Sequence, residues 1–231
     1  MTTQLEPDLR PSYLEHRAMR ADAERLGRLV AAAQPSDGER LEAVAAWYAR
    51  YEGAIHDHHT AEEAVVYPAL LERDPSFARA DGELEGQHRI LADRLTVARE
   101  SLGGLASAAG GPSWEREAAE AVLAAAALRE IIDTHTRHEE DVAFSRYRRA
   151  FTAEEFTELG RAAWKVVGAR AVVFAGPWVL DHATPQERAR LLAAQPLLLR
   201  LLHHLWLRPR YRRISRPLQL PSPPAAPRPE A

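Results

Sequence analysis

The chain has 231 residues, 46% of them hydrophobic, enough for one sizeable core with an appendage. It contains no cysteine, which excludes disulfides, thiolate sites and cysteine-held iron–sulfur clusters and leaves only nitrogen and oxygen donors for a metal. The net charge of −3 hides a division: residues 1–150 carry 18 Lys+Arg against 27 Asp+Glu, whereas residues 197–231 carry seven Arg against one Glu. The acidic part gives no reason to expect nucleic-acid binding. Met1 to Pro11 is polar and proline-containing, unlike a secretory signal, so a cytoplasmic location is expected.

In chain order, a first helix is predicted from about Pro11 to Ala33, its apolar stripe supplied by Leu14, Met19, Ala23, Leu26 and Val30. Gln34 to Gly38 breaks it. A second helix follows from Glu39 to roughly Glu72, with Pro68 as a bend near its end. A third runs from about Phe77 to Leu102, and the Gly/Ala/Ser-rich stretch 103–112 reads as a flexible connection. A fourth spans Ser113 to about Ala150. No convincing strand is present. The expected architecture is all-α: an up-down-up-down four-helix bundle over residues 10–150. A helical extension covers 151–216. One helix there is capped by Thr152, runs to about Phe174 and stops at Gly176-Pro177, and another begins after Thr184. Residues 217–231 hold six prolines and are expected to be disordered.

Two copies of one pattern stand out: His58-His59-Thr60-Ala61-Glu62-Glu63 and His135-Thr136-Arg137-His138-Glu139-Glu140. Each sets a histidine four residues before a glutamate, so imidazole and carboxylate share one helix face. His16 and His88 sit alone on the two other bundle helices. The candidate ligands are therefore His16, His58, Glu62, His88, His135 and Glu139. Two octahedral ions need about twelve ligand positions. Four imidazoles, two bridging carboxylates and an oxo or hydroxo bridge fill about ten, leaving room for a small exogenous ligand. Glu63 and Glu140 point away from the ligand stripe and are expected to orient neighbouring imidazoles. His56, His59 and His138 fall off the inward stripe. Leu91, Leu95, Leu128, Ile131 and Ile55 should line the cavity, and Tyr51 or Tyr13 could bring a phenol near the metal.

These motifs resemble those of hemerythrin-like, or HHE cation-binding, proteins. The resemblance rests on residues 58–68 with their aromatic-proline pair, on Ala18 to Asp22 after His16, and on Gln87-His88-Arg89-Ile90-Leu91. It covers about residues 10–150. It implies two non-haem iron ions in a four-helix bundle and a role in binding or sensing O2, NO or peroxide. The O2-carrying branch has a second histidine four residues before the third-helix one. Here that position is Leu84, so one fewer nitrogen and a more open iron are expected. That branch also places an Asp five residues after the fourth-helix histidine, where Glu139 at four is the better match here.

Other readings are an iron or redox sensor acting through a partner at the extension, and a ferritin-like iron oxidase. The latter wants Glu-x-x-His on two helices, and only Glu85 to His88 fits. Whether the chain is an enzyme is left open. The Leu- and Arg-rich segment within 197–216 reads as a packed lid or as a contact for a membrane surface or protein; it is too short and too often interrupted by Arg and His to cross a bilayer.

Overall fold

In the computed structural model, which describes residues 6–219, every regular element is helical. Helix α1 is Arg10–Ala31, with Pro11 in its first turn where its missing N–H costs nothing. Helix α2, Gly38–Ala61, runs through a π-helical turn, Glu62–Val66, into α3, Tyr67–Arg73. Helix α4 is Ala78–Ser107, and α5 is Trp114–Val142, continued after Ala143 by α6, Phe144–Ala150. In the bundle α1 pairs with α5, α5 with α4, and α4 with α2. The Tyr51 hydroxyl on α2 donates to the Met19 carbonyl on α1 at 2.8 Å, closing the ring.

Three boundaries differ from expectation, each for a physical reason. The second helix does not simply bend at Pro68. A proline ring collides with the carbonyl four residues earlier, and the chain widens just before it: the Tyr67 N–H bonds to the Glu62 carbonyl, five residues back. The third helix extends to Ser107 through Gly103 and Gly104 because burial of Leu102 and Leu105 outweighs glycine's low propensity. A Cβ on Gly104 would strike the Glu117 carboxylate of α5, so glycine also permits that close approach. The fifth helix is cut in two by Gly168, whose φ of +80° suits only glycine well. It becomes α7, Ala153–Val167, and α8, Ala169–Asp181, with Pro177 inside α8 rather than ending it.

The extension packs onto the bundle. Helix α8 lies against both α1 and α2 and inserts Phe174 and Trp178 into the bundle core. Helix α9, Pro185–Ala193, is tied to α1 by a bidentate Arg17–Glu187 pair at 2.8 and 3.0 Å. Helices α10, Leu197–Leu202, and α11, Arg208–Ser215, follow, joined by a second π-helical turn, His203–Leu207, again just ahead of a proline, Pro209. Part of the stretch expected to be disordered is packed: Leu218 is buried, and the Arg40 and Arg25 guanidiniums hold the carbonyls of Pro217, Leu218 and Gln219. The rest of that stretch, from residue 220, lies outside the described residues.

Two apolar clusters fill the bundle. The larger holds Met19, Ile55, Leu91 and Ile132; the smaller holds Leu9, Tyr67, Leu84 and Phe144. Every bundle helix passes from one cluster to the other, and every candidate ligand lies between them in sequence. The polar layer is therefore sandwiched between two dry ones.

Candidate metal centre

The layer contains more histidine than the helical stripe suggested. His16, His59, His88 and His135 are buried, His58 nearly so, and Glu62 and Glu139 are buried with them. Two sets of donor atoms converge: His59, Glu62, His88 and His135 form one, and His16, His58, Glu62 and Glu139 the other. Within each set the donor atoms lie within 4.8 Å of one another, and Glu62 belongs to both. All six expected residues are thus brought together, with His59 as a seventh.

The placement of His59 off the inward stripe is overturned. His58 and His59 are consecutive, about 100° apart on a helix, but α2 faces two neighbours across the layer. His58 turns toward α1, while the His59 ring stacks on His88 of α4 at 4.0 Å and meets His135 of α5 edge-on at 5.0 Å. Leu84 packs in the smaller apolar cluster, and His59 of α2 brings a further imidazole to the layer. The layer therefore offers five imidazoles, one more than expected.

Donor orientation fits a cation. Nε2 of His16, His58, His59, His88 and His135, and Oε2 of Glu62 and Glu139, are buried without a hydrogen-bond partner among the described residues. Unpaired buried polar atoms are costly, and so many aimed at one place ask for a shared counter-charge. His16 Nε2 approaches Glu139 at 3.1 Å and His58 Nε2 approaches Glu62 at 2.8 Å, neither aligned as a hydrogen bond. Spacings of this size are those of neighbouring ligands around an ion about 2 Å from each.

The opposite ring nitrogens are braced. The Nδ1–H of His16 donates to Glu140 at 2.9 Å, that of His58 to Glu15 at 3.1 Å, that of His88 to Glu63 at 2.6 Å and that of His135 to the Gln87 carbonyl oxygen at 3.3 Å. Each brace is the chain neighbour of a candidate ligand and holds the imidazole of the next helix: α1 braces α2, the π-turn braces α4, α4 braces α5 and α5 braces α1. Such partners fix the tautomer that leaves Nε2 open for a metal. Glu63 and Glu140 take the expected role; Glu15 and Gln87 are additional. Arg20 steadies Glu140 at 2.9 Å, and the Gln87 amide also reaches His138 at 3.0 Å, which stays outside both donor sets.

Electrostatics divide the donors. Burial opposes a charge on His16, but Glu139 and Glu140 outweigh it and push His16 up to about 9. Burial likewise opposes a charge on His58, yet Glu62 and Glu15 raise it well above the ordinary imidazole value. Burial, reinforced by neighbouring imidazoles, drives His59 well below that value; burial also brings His135 down to about 3 despite Glu139. Glu62 is raised by burial and by Glu139. Burial alone would raise Glu139 too, but His16 pulls it down to about 2.

Around the layer, Leu91, Leu95, Leu128 and Ile55 are buried as expected, with Ile132 rather than Ile131 fully inside. Tyr51 is buried in the bundle core with its hydroxyl satisfied by Met19, and Tyr13 packs edge-on against Phe144 at 4.7 Å. The phenols that feel the site are Tyr67 and Tyr147. Both hydroxyls are buried and unpartnered among the described residues, and burial plus the charges of Glu139 and Glu62 raises both well above the ordinary phenol value. Tyr67 was visible only as the aromatic before Pro68. A groove of about 650 Å³ between α2 and α4 reaches His59 and His88 from the surface.

The hemerythrin HHE cation-binding domain matches residues 13–147, which begin just before the first candidate ligand and end just after the last. The chain belongs to the hemerythrin HHE cation-binding family. No curated protein and no solved structure shows significant similarity to it. The match covers more than half of the chain and the whole donor layer; the helices after α6 lie outside it. Membership in the HHE family implies metal-ion binding, and the two donor sets are where this chain could hold ions.

Proposed function

We propose that this HHE protein holds two non-haem iron ions in the donor layer and binds O2, NO or peroxide there. The observation that carries the reading is the sharing of Glu62 by two donor sets. One carboxylate common to two clusters is what a pair of adjacent ions requires, and an all-nitrogen-and-oxygen set rich in imidazole suits iron. In this reading His59, His88 and His135 would hold one ion and His16, His58 and Glu139 the other, with Glu62 available to both. Iron, when bound, would supply the redox chemistry and the affinity for a diatomic ligand.

The protein's own contribution is threefold. The braces fix four of the five imidazoles with Nε2 inward, and His59 is held instead by stacking on His88. The two apolar clusters close the layer above and below, leaving the groove between α2 and α4 as the side path to His59 and His88. The unpartnered Tyr67 and Tyr147 hydroxyls are the hydrogen-bond donors available to an oxygen-rich ligand. The ferritin-like alternative loses support because Glu85, the carboxylate it needs, is exposed and outside both donor sets.

The test is metal content after growth with iron, combined with absorption spectra in air and after dithionite. About two irons per chain and a visible band lost on reduction are expected. A single zinc per chain without colour would overturn the reading. O2, NO and peroxide titrations then rank the ligands.

A second reading, a sensor, has its own support. Asp22 on α1, six residues from His16, accepts from Trp178 Nε1 at 2.8 Å and lies 2.9 Å from His182 Nε2, both in or at the end of α8. A change in α1 on metal loss would reach the extension directly. If proteolysis between residues 182 and 208 is the same with and without iron, this reading fails.

A further inference from the structure

Between Leu197 and Gln219 the chain presents two faces. The inner one repeats every four residues: His203, Leu207, Tyr211 and Ser215 are buried, with the segment packed on α2 and α8. The outer one is apolar and uncovered. Leu198 is 76% exposed, Leu205 77% and Leu197 67%, and helix α10 buries no residue at all. Two leucine-rich turns therefore stand in water, where each Å² of apolar surface is unfavourable; a contiguous patch of this kind marks a contact.

The charge around the patch says what covers it. Residues 197–219 hold six arginines and no acidic residue, whereas residues 1–150 are strongly acidic. The Arg210 guanidinium lies over the Trp206 ring, 5.4 Å from its centroid, which sets a cation beside the apolar face. Arg200, Arg212 and Arg213 are exposed. Leucine, tryptophan and arginine side by side match the boundary between acyl chains and phosphate headgroups.

We propose that this face docks on an anionic lipid bilayer, with Leu197, Leu198, Leu201, Leu202, Leu205 and Trp206 entering the headgroup boundary and the arginines meeting phosphates. The docking is peripheral: no described helix is long and apolar enough to span a bilayer. A symmetric contact with a second copy fits less well, because it would press six arginines against six others. Nucleic acid would leave the leucines in water. The proposal is independent of which metal the bundle holds.

The test uses the full chain and vesicles of phosphatidylcholine, alone or with about 30% phosphatidylserine. Flotation with the anionic vesicles is expected to be at least roughly tenfold stronger than with the neutral ones and to fall in about 0.5 M salt. L198S/L205S should lower it roughly tenfold or more by removing apolar contact, with unchanged circular dichroism, since both side chains already face water. R212Q/R213Q, equally exposed, should weaken only the anionic component. Absence of flotation, or equal flotation with both vesicles, overturns the proposal. A concentration-dependent dimer in light scattering that L198S/L205S abolishes would assign the face to a second copy and overturn it as well.

Discussion

Replacing His59 by Ala removes a donor from one set only, whereas replacing Glu62 touches both. The expected outcome is graded: H59A falls toward one iron per chain, E62A loses most of both, and H56A, outside the sets, keeps both. Metal analysis of the three purified variants checks this order. The braces act more gently. Glu140→Ala frees the His16 ring and leaves Arg20 its bond to Thr136, and loss of such a histidine partner costs about 10–100-fold in metal affinity. E140Q should recover part of it by keeping an acceptor oxygen. A chelator competition that ranks E140A as wild type would refute a bracing role. Away from the layer, Leu128→Ala opens a cavity in the fully buried face of α5 and should cost about 2–5 kcal/mol in urea unfolding.

At the scale of elements, the two helices with complete reciprocal caps both lie in the extension. Thr152 accepts from the Glu155 N–H while Glu155 accepts from the Thr152 N–H, and Thr184 and Glu187 do the same. Thr152→Ala should cost about 1 kcal/mol. Glu155 is held down at about 2, first by Arg73 and then by the Thr152 backbone; Glu187 is held at about 2, first by Arg17 and then by the Thr184 backbone. A depressed folded value stabilises the ionised state, so the contribution is complete above the unfolded value of 4.5 and is lost as pH falls toward 2. The stability gap between wild type and E155Q should therefore shrink from pH 5 to pH 3 in urea titrations; a constant gap would show that the pair contributes nothing. The π-turns belong to this scale too. Each precedes a proline, Pro68 or Pro209, and the first opens with Glu62 and Glu63, the shared donor and the brace of His88.

For the whole molecule, a polar layer of five imidazoles and two carboxylates between two apolar clusters is a stability liability that a cation relieves. Metal binding then acts as folding free energy. Chelation should lower the thermal midpoint and, in hydrogen exchange, open the layer-flanking turns of α1, α2, α4 and α5 before the distant ends of those helices. Unchanged exchange on metal removal would mean that the layer is held by its braces alone. The extension shares the bundle core through Phe174 and Trp178, so truncation before residue 169 should expose Trp47 and Tyr51, which pack against those rings, and destabilise the bundle.

The chain by itself determined the all-helical fold, the four long bundle helices and six of the seven converging donors. It could do so because these rest on local quantities: a 3.6-residue apolar period and a four-residue spacing between imidazole and carboxylate. Only the tertiary structure decided the rest. His59 is inward because α2 faces two partners at once, a property of packing and not of its own stripe. Glu15 and Gln87 act on imidazoles 43 and 48 residues away along the chain. Tyr67 follows the π-turn, which a regular helical period does not record, whereas Tyr147 continues the four-residue ladder of His135, Glu139 and Ala143. The packing of Phe174 and Trp178 overrode Pro177 as a stop signal, because burying two large aromatic side chains outweighs one lost backbone hydrogen bond.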